Sequence, residues 1–416
     1  MYRSNILRIE FGLLFLLFVA SAHAANFYVD NSASGSNNGT SWANAWKSFA
    51  NINWSVIQPG DNIYISGGST QKTYTGSLTI NRSGRSGNPI TIRKGIDTGH
   101  NGKVIINGQG DNGIEIRPQR YVTLSGFTIT GCSNAVFISG SSGGSYSSSG
   151  ASSYITVENM DIFNSYGRGI FIQTSDNIVV RNCTIATPID LDDQTDGIYS
   201  QRSKNNIFEN NHIVISNTHT ETHDDAIQLY QDESAIVRGN YLAQVNSKTN
   251  NAQGLYAEEM YGTSKFYNNV VNLGNARSNA LAFQRSGGSG TVEIVNNTVY
   301  GARPWLGIWV QDVSNPVVKN NIVYLLSGDP LYLDNSGSSR ASNNYLGNPN
   351  FMSINNLDFH LQSNSPAIDK GTSLTSPYDT DKDGVSRPQG SGWDMGAYEV
   401  PAGGSIPVAP SDLKIK

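Results

Sequence analysis

The chain has 416 residues and a formal net charge of −5, and 43 of its residues are glycine. The absence of basic runs argues against nucleic acid as a partner, although an anionic polymer can still bind locally through arginines, lysines or a bridging cation. Abundant glycine, asparagine and serine favour short strands joined by tight turns. The length is large for one globular core but ordinary for a single solenoid.

The start of the chain has the pattern of a secretory signal peptide. Positive charge at Arg3 and Arg8 precedes the apolar run Phe11–Ala20, and small residues at Ala22 and Ala24 form a cleavage site. The apolar run is too short to span a membrane, and no other segment of the sequence qualifies. We therefore expect a signal peptide over residues 1–24 and a secreted protein, extracellular or periplasmic, that is cleaved near Ala24.

Residues 25–70 lack any repeat, and they carry apolar bulk at roughly helical spacing in Trp42, Trp46, Phe49 and Trp54. The hydrophobic end of a solenoid has to be covered. We therefore expect this region to be an N-terminal cap, with a sugar-stacking site as the alternative role for its aromatic residues.

Two short sequence motifs alternate along residues 154–323. One is an apolar-alternating strand that ends in paired asparagines: Asn210-Asn211, Asn268-Asn269, Asn296-Asn297 and Asn320-Asn321. The other opens with a small residue and an aliphatic one, and its small residues are Gly169, Gly197, Ala226, Gly254, Ala280 and Gly307. The small residues are 28, 29, 28, 26 and 27 positions apart. A period of this size is typical of a solenoid, in which each repeat (a rung) buries its apolar face against its neighbours.

The residues around the paired asparagines alternate between apolar and polar with a period of two, which predicts strands with one buried face. Equivalent strands would stack about 4.8 Å apart, with the asparagines hydrogen-bonding to one another at the turns. The pattern over Ile105–Leu346 resembles the right-handed parallel β-helix of pectate lyases and their relatives. The resemblance implies an all-β fold, a solenoid of about ten rungs over residues 71–350.

After the last asparagine pair, residues 351–400 resemble the closing tail of many secreted β-helix proteins, and residues 401–416 have the composition of a linker. Asp379, Asp381 and Asp383 alternate before a glycine, a spacing that suits either a structural calcium site or a salt-linked turn. Cys132 and Cys183 fall at different positions within the repeat. They are either a disulfide pair or two buried thiols.

Three consecutive connections between the asparagine strand and the glycine strand are longer than the others. Insertions in repeat proteins gather on the working face, so we expect these three to lie side by side. They hold most of the unusual polar residues, namely Asp190, Asp192, Asp193, Asp196, His219, Glu221, His223, Asp224, Asp225 and Lys248.

Asp196 precedes Gly197 as Asp225 precedes Ala226, which predicts two carboxylates one rung apart. Like charges this close need a cation, a shared proton or a basic neighbour. Just beyond them lie two outward-facing columns of aromatic and amide residues: Phe171, Tyr199, Gln228, Tyr256, Ala282 and Trp309, then Gln173, Gln201, Tyr230, Glu258, Gln284 and Gln311. We predict an exposed floor suited to sugar rings and hydroxyls, with ordinary strand surface as the alternative.

Two enzyme families carry acids in a similar arrangement. The runs from Thr195 to Ile198 and from His223 to Ile227 resemble the acidic blocks of polygalacturonases, which are inverting glycosidases, but Ala252-Gln253-Gly254 stands where that family has Gly-His-Gly. Asp196, Asp224 and Asp225 also resemble the acids of calcium-dependent pectate lyases. That family's third aspartate is replaced by Gln228, and its lysine base by Tyr256.

We therefore expect a secreted, monomeric, carbohydrate-active protein, and the leading prediction is a cation-assisted lyase of a uronate-containing polysaccharide with Ca²⁺ as the cation. The alternatives are a glycoside hydrolase that uses the same aspartates and a non-catalytic polysaccharide-binding or surface protein. The predicted catalytic residues are Asp196, Asp224, Asp225, Tyr256 and Lys248. The predicted substrate-binding residues are Tyr199, Gln201, Gln228, Tyr230, Glu258, Arg285 and Trp309, and the predicted metal ligands are Asp196, Asp224 and Asp225, with Asp379, Asp381 and Asp383 at a second site.

Overall fold

A computed structural model of the chain describes residues 24–140, 150–187, 195–216, 223–245, 247–248, 251–285, 290–336 and 341–403. These residues form three long parallel sheets, A, B and C, with 13, 11 and 10 strands. Each rung passes through A, then B, then C, and the rungs stack into a right-handed parallel β-helix. The predicted all-β fold is therefore confirmed.

The strands of each sheet follow in rung order. Sheet A contains Asn26–Val29, Asn62–Ile65, Ile90–Lys94, Arg120–Ser125, Ser152–Glu158, Val179–Arg181, Ile207–Glu209, Ile236–Arg238, Thr263–Tyr267, Thr291–Val295, Val317–Lys319 and Ala341–Ser342, with Ser175–Asp176 paired beside Ser152–Glu158. Sheet B contains Gln71–Thr75, Lys103–Asn107, Phe127–Thr130, Asp161–Phe163, Thr184–Thr187, His212–Ser216, Tyr241–Val245, Val270–Asn272, Thr298–Gly301, Ile322–Leu325 and Tyr345–Leu346. Sheet C contains Leu78–Ile80, Ile114–Ile116, Val136–Ser139, Ile170–Gln173, Ile198–Gln201, Ile227–Tyr230, Gln253–Glu258, Asn279–Gln284, Leu306–Gln311 and Asp329–Asp334. Outside these sheets are the antiparallel pair Phe351–Ser353 and Asp358–Leu361 and the 3-10 helices Phe49–Asn51 and Ile354–Asn356.

Aliphatic side chains from all three sheets fill the interior, as the period-two alternation predicts. Phe208 before one asparagine pair and Ile213 after it are both fully buried. The glycines at the start of strands of sheet C are required by this core. At Gly197, an added Cβ would lie 2.4 Å from Ile213 Cγ2, so the corner between sheets B and C has no room for a larger side chain in that rung.

The paired asparagines form the corner between sheets A and B. The first of each pair adopts a left-handed φ, 54° at Asn210, a conformation that asparagine tolerates better than most residues. The second is buried and stacks on its equivalent in the next rung: the Asn211 backbone N–H and side-chain amide both donate to Asn240 Oδ1, at 2.9 and 3.0 Å. This asparagine ladder continues through Asn269, Asn297, Asn321 and Asn344.

The N-terminal region covers the end of the core, and it also forms the first strands of the β-helix. Trp46 and Phe49 are buried against the apolar interior, while Asn26–Val29 and Asn62–Ile65 are the first two strands of sheet A. Farther along the chain, Cys132 and Cys183 are both buried free thiols rather than a disulfide.

The segment after the last rung packs along the outside of the coil, against the corner of the asparagine ladder. Phe359, Leu361 and Met395 join a cluster with apolar residues on the outer face of sheet B. Lys382 Nζ donates to the Gly239 carbonyl at 2.5 Å, and Asn268 Nδ2 donates to the Thr380 carbonyl at 2.7 Å. This wall of the solenoid is therefore covered by the chain's own C-terminal segment.

Candidate functional site

Asp196, Asp224 and Asp225 lie at the corner where the chain enters sheet C, which we call the acid corner. Ile198 pairs with Ile227 across adjacent strands, so Asp196 and Asp225 occupy equivalent positions one rung apart. The Asp225 N–H donates to Asp196 Oδ1 at 3.0 Å, and the Gln253 N–H donates to Asp225 Oδ1 at 2.7 Å. The predicted one-rung stacking of the two carboxylates is confirmed.

All three acids are fully buried. Asp224 Oδ1 accepts hydrogen bonds from the Thr195 N–H at 2.7 Å and from the Thr195 hydroxyl at 3.0 Å. The second oxygens of the stacked pair face basic side chains. Arg168 Nε lies 3.6 Å from Asp196 Oδ2, and His223 Nδ1 lies 3.3 Å from Asp225 Oδ2. The acids thus hold backbone amides of neighbouring rungs and contact an arginine and a histidine.

Burial sets the protonation of this cluster. It raises the pKa of Asp225 well above its usual range, and the nearby Asp196 carboxylate raises it further. Burial lowers the pKa of His223, although the Asp224 charge opposes the shift. The lowered pKa leaves the His223 imidazole neutral at neutral pH, and the raised pKa makes Asp225 easier to protonate than an ordinary aspartate. The His223 side chain is 21% exposed, whereas the acids are covered, so the imidazole is where this cluster meets solvent.

Tyr256 lies next to this pair. Its ring makes an edge contact with the His223 ring, with centroids 5.1 Å apart, and its hydroxyl donates to Gln284 Oε1 at 3.0 Å. Burial raises the pKa of Tyr256, and Glu258 raises it further. A tyrosine base needs a lowered pKa, so these surroundings favour Tyr256 as a proton donor over the predicted role of base.

Arg168 is a residue that the sequence reasoning missed. Its guanidinium lies over the rings of Phe171 and Tyr199, 5.0 and 4.9 Å from their centroids, and it pairs with Asp196. Its position was readable from the repeat, because Arg168 precedes Gly169 as Asp196 precedes Gly197. In this column a cation therefore stands one rung before the two acids.

The two predicted outward columns are in register on sheet C. Tyr199, Gln228, Tyr256, Ala282 and Trp309 follow one another on adjacent strands, and so do Gln201, Tyr230, Glu258, Gln284 and Gln311. The prediction of an exposed floor is wrong at its centre. Gln228, Tyr256 and Ala282 are buried, and Tyr256 is packed against the His223 ring. The accessible face is therefore interrupted beside the acid corner.

The remaining predicted site residues lie around this centre. Arg285 is exposed, and its Nη1 lies 3.6 Å from Glu258 Oε1. Tyr199 donates to Gln201 Oε1 at 3.2 Å, while Tyr230 and Trp309 are half-buried on the same face. Lys248 is exposed. Most of the long connections, including Asp190, Asp192, Asp193, His219 and Glu221, lie outside the described residues.

At both predicted calcium sites, carboxylates already accept hydrogen bonds from backbone N–H groups. Each acid of the acid corner gives an oxygen to an N–H group of an adjacent rung, and none is exposed. At the second site, Asp381 accepts N–H groups from Asp383, Val385 and Glu399. Across the part of the chain that the structure describes, no group of three or more His, Cys, Asp or Glu side chains is arranged to hold a metal. Calcium therefore stays a prediction, and we derive no chemistry from it.

Comparison with known proteins places the chain in a family. A family model described as "Right handed beta helix region" matches residues 50–214 and 112–304, together more than half of the chain. The chain belongs to this right-handed β-helix family. No curated protein matches the sequence of this β-helix protein.

Solved structures with the same fold include three carbohydrate-active enzymes. Pectate lyase Pel9A is 18% identical, with 90% of this chain and 96% of that chain covered and a TM-score of 0.59. A rhamnogalacturonan lyase is 14% identical, with coverages of 85% and 97% and a TM-score of 0.57. The GH136 lacto-N-biosidase from Eubacterium ramulus is 12% identical, with coverages of 78% and 67% and a TM-score of 0.51. At these identities the likeness shows the fold alone.

A search of the described residues for a membrane-spanning helix finds none long and apolar enough to cross a bilayer.

Proposed function

We propose that this β-helix protein is a secreted polysaccharide lyase that cleaves a uronate-containing polysaccharide by β-elimination. The observation that carries the proposal is the contact between His223, an imidazole of lowered pKa with an exposed edge, and Tyr256, a phenol of raised pKa. A base and an acid side by side are what this reaction requires. Two solved structures of the same fold are named as lyases, which supports the reaction class.

The proposed step uses one proton acceptor and one proton donor. The neutral imidazole of His223 removes the proton on the carbon beside the uronate carboxylate, and the electron pair left behind forms a carbon–carbon double bond. The bond from the neighbouring carbon to the glycosidic oxygen breaks, and this oxygen takes a proton from the Tyr256 hydroxyl. Solvent then carries the proton from the imidazolium back to the tyrosinate, which restores both groups.

Asp225 positions the base in this scheme. Its Oδ2 lies 3.3 Å from His223 Nδ1, which leaves Nε2 as the nitrogen that takes the proton. Burial and the nearby Asp196 carboxylate raise the pKa of Asp225, which weakens its tendency to hold the imidazole in its charged form. Arg168 supplies positive charge on the same face, where it attracts the carboxylates of the polymer.

The direct test is the appearance of unsaturated sugar ends, which absorb in the ultraviolet, when the protein is mixed with polygalacturonate, alginate or glycosaminoglycans. We expect activity that persists in the presence of chelator, because the step uses only side chains. His223→Ala and Tyr256→Phe should each lower the rate by about a hundredfold or more.

Matched controls exist on sheet B. His212 stacks on Tyr241 there, and the Tyr241 hydroxyl also has a hydrogen-bond partner, Asn272. His212→Ala and Tyr241→Phe remove the same groups far from sheet C and should leave the rate unchanged. Equal losses in both pairs would mean that the variants only disturb folding. Loss of wild-type activity with chelator would replace this scheme with the calcium-assisted one.

A second candidate, hydrolysis by Asp196 and Asp225, is favoured by one observation. Burial and the Asp196 carboxylate raise the pKa of Asp225, and two adjacent carboxyls that differ in pKa are the kind of pair in which one can act as an acid and the other as a base. A hydrolase releases reducing ends without ultraviolet absorbance. A protein that retards acidic polysaccharides in a gel but releases neither product would instead be a binding protein.

A further inference from the structure

A groove at the last two strands of sheet C, Leu306–Gln311 and Asp329–Asp334, is lined by aromatic and apolar side chains. Its volume is about 660 Å³, and its lining residues are Pro304, Trp305, Leu306, Trp309, Gly328, Asp329 and Tyr332. Trp305 and Tyr332 are among the most exposed large hydrophobic residues of the described chain, at 53% and 44%. We call Trp305, Trp309 and Tyr332 the aromatic platform.

The platform presents carbon surface to solvent. Trp309 and Tyr332 pair in register on the last two strands of sheet C, so their side chains lie on the same face. The Trp309 Nε1 atom is buried, so the part of its ring that lines the groove is carbon. Aromatic carbon faces stack on the C–H faces of sugar rings, and exposed aromatic groups of this size mark binding sites.

Charge distinguishes this end of sheet C from the end near the acid corner. Of the residues that line the groove, Asp329 carries the charge, and it is exposed. Near the acid corner, a half-buried cation, Arg168, is stacked on Phe171 and Tyr199. A carboxylate in the groove repels a uronate, whereas Arg168 attracts one.

The two ends lie along one line of the fold. Tyr256, Ala282 and Trp309 occupy successive strands of sheet C in register, which places Trp309 about 10 Å from Tyr256 along the solenoid axis. Because Tyr256 and Ala282 are buried, a polysaccharide that contacts both the aromatic platform and the partly exposed His223 side chain has to pass beside this column, over a distance of about two rungs.

We infer that the aromatic platform binds an uncharged sugar residue of the polysaccharide whose uronate reacts at His223. The substrate is then a heteropolysaccharide that carries a uronate and a neutral sugar within a few residues of each other. The identity of the polymer rests on the proposed function, but binding of neutral sugar at the platform does not require catalysis and can be measured alone.

The experiment is affinity electrophoresis of the full chain in gels that contain galactan, arabinan, mannan, xylan or glucan, with polygalacturonate as the acidic comparison. We expect at least one neutral polymer to retard the wild-type protein. Trp305→Ala should weaken this retardation about tenfold, and Tyr332→Ala should weaken it less. The control is Tyr154→Ala, which removes an equally exposed aromatic from sheet A (50% exposed) and should bind as the wild type does.

A second variant tests the charge argument. Asp329→Asn should strengthen retardation by polygalacturonate, and unchanged retardation by polygalacturonate would contradict the charge argument. The inference is overturned if no neutral polymer retards the wild type, if Trp305→Ala binds as tightly as the control, or if Trp305→Ala instead abolishes a dimer seen by sedimentation. If neutral binding behaves as expected but no uronate polymer yields unsaturated ends, the proposed function fails and the platform assignment stands.

Discussion

The corner between sheets A and B and the acid corner between sheets B and C both contain backbone N–H groups that need a buried hydrogen-bond acceptor. Asparagines accept these hydrogen bonds at the first corner, and aspartates accept them at the second. In both, a buried side-chain oxygen accepts a backbone N–H of an adjacent rung: Asn240 Oδ1 accepts from Asn211 in the preceding rung, and Asp196 Oδ1 accepts from Asp225 in the following rung. The amide also donates, since Asn240 Nδ2 reaches the Phe208 carbonyl at 2.9 Å and Asn269 Oδ1 at 3.0 Å. A carboxylate has no such donor unless it is protonated.

This difference indicates that the aspartates of the acid corner are not there for the stability of the fold alone. An asparagine at Asp225 would keep the hydrogen bond from Gln253 without the cost of burying an acid. The asparagine corner is also covered by the C-terminal segment, whereas the acid corner lies beside His223 and Arg168. Acids at a position where an amide would satisfy the backbone favour a chemical role.

The largest effect is expected from placing an acid in the asparagine ladder. Asn240→Asp removes the two donor contacts of Nδ2 and buries a carboxyl at a fully covered position, which should lower the free energy of unfolding by about 3–5 kcal/mol. Denaturant unfolding measures the change. An unaltered midpoint would show that the two corners tolerate acids equally, and the comparison would lose its basis.

The reverse exchange at the acid corner should separate stability from activity. Asp225→Asn keeps the acceptor for the Gln253 N–H, so the free energy of unfolding should be equal or higher. The rate of product formation should fall by about a hundredfold or more, because His223 loses the group that orients it. An Asp225→Asn protein with wild-type activity would reduce the acid corner to a structural feature.

The third corner, between sheets C and A, gives a pH test of the same argument. Asp232 Oδ1 accepts the Ser203 N–H at 2.9 Å, and burial raises the Asp232 pKa to about 7. Because the folded pKa is above the unfolded one, the stability that protonated Asp232 contributes is present below about pH 4 and is lost as the pH rises through 7. Asp232→Asn should therefore gain on the order of 2–3 kcal/mol at about pH 8 and little at about pH 4. Thermal unfolding at both pH values checks this, and a gain independent of pH would contradict it.

The smallest effect concerns the segment that covers the asparagine corner. Burial lowers the pKa of His360, but hydrogen bonds to Asp383 and Asp358, at 2.8 and 2.6 Å, outweigh burial and raise it. The resulting stability is present below the ordinary histidine pKa and is lost as the pH rises through the raised value. Hydrogen exchange in residues 358–400 should accelerate over that range, by about 1 kcal/mol of local stability, while sheet C amides stay unchanged. His360→Gln should remove the pH dependence, and a wild-type segment insensitive to pH would contradict the assignment.

The sequence by itself determined the repeat and therefore the fold. Strands, the apolar columns and the asparagine ladder follow from a period of about 27 residues, because each rung meets only its neighbours. The same regularity placed Asp196 beside Asp225 and aligned Tyr256 with Trp309. The position of Arg168, one rung before Asp196, could also have been predicted from the repeat.

Only the tertiary structure decided which of these residues solvent can reach and what they contact. The burial of Asp225, the ring contact of His223 with Tyr256, and the path of the C-terminal segment along the asparagine corner depend on packing between segments that differ from rung to rung. Such contacts have no period, so a repeat predicts a column but neither the protonation of its members nor the surface that stays open for a ligand.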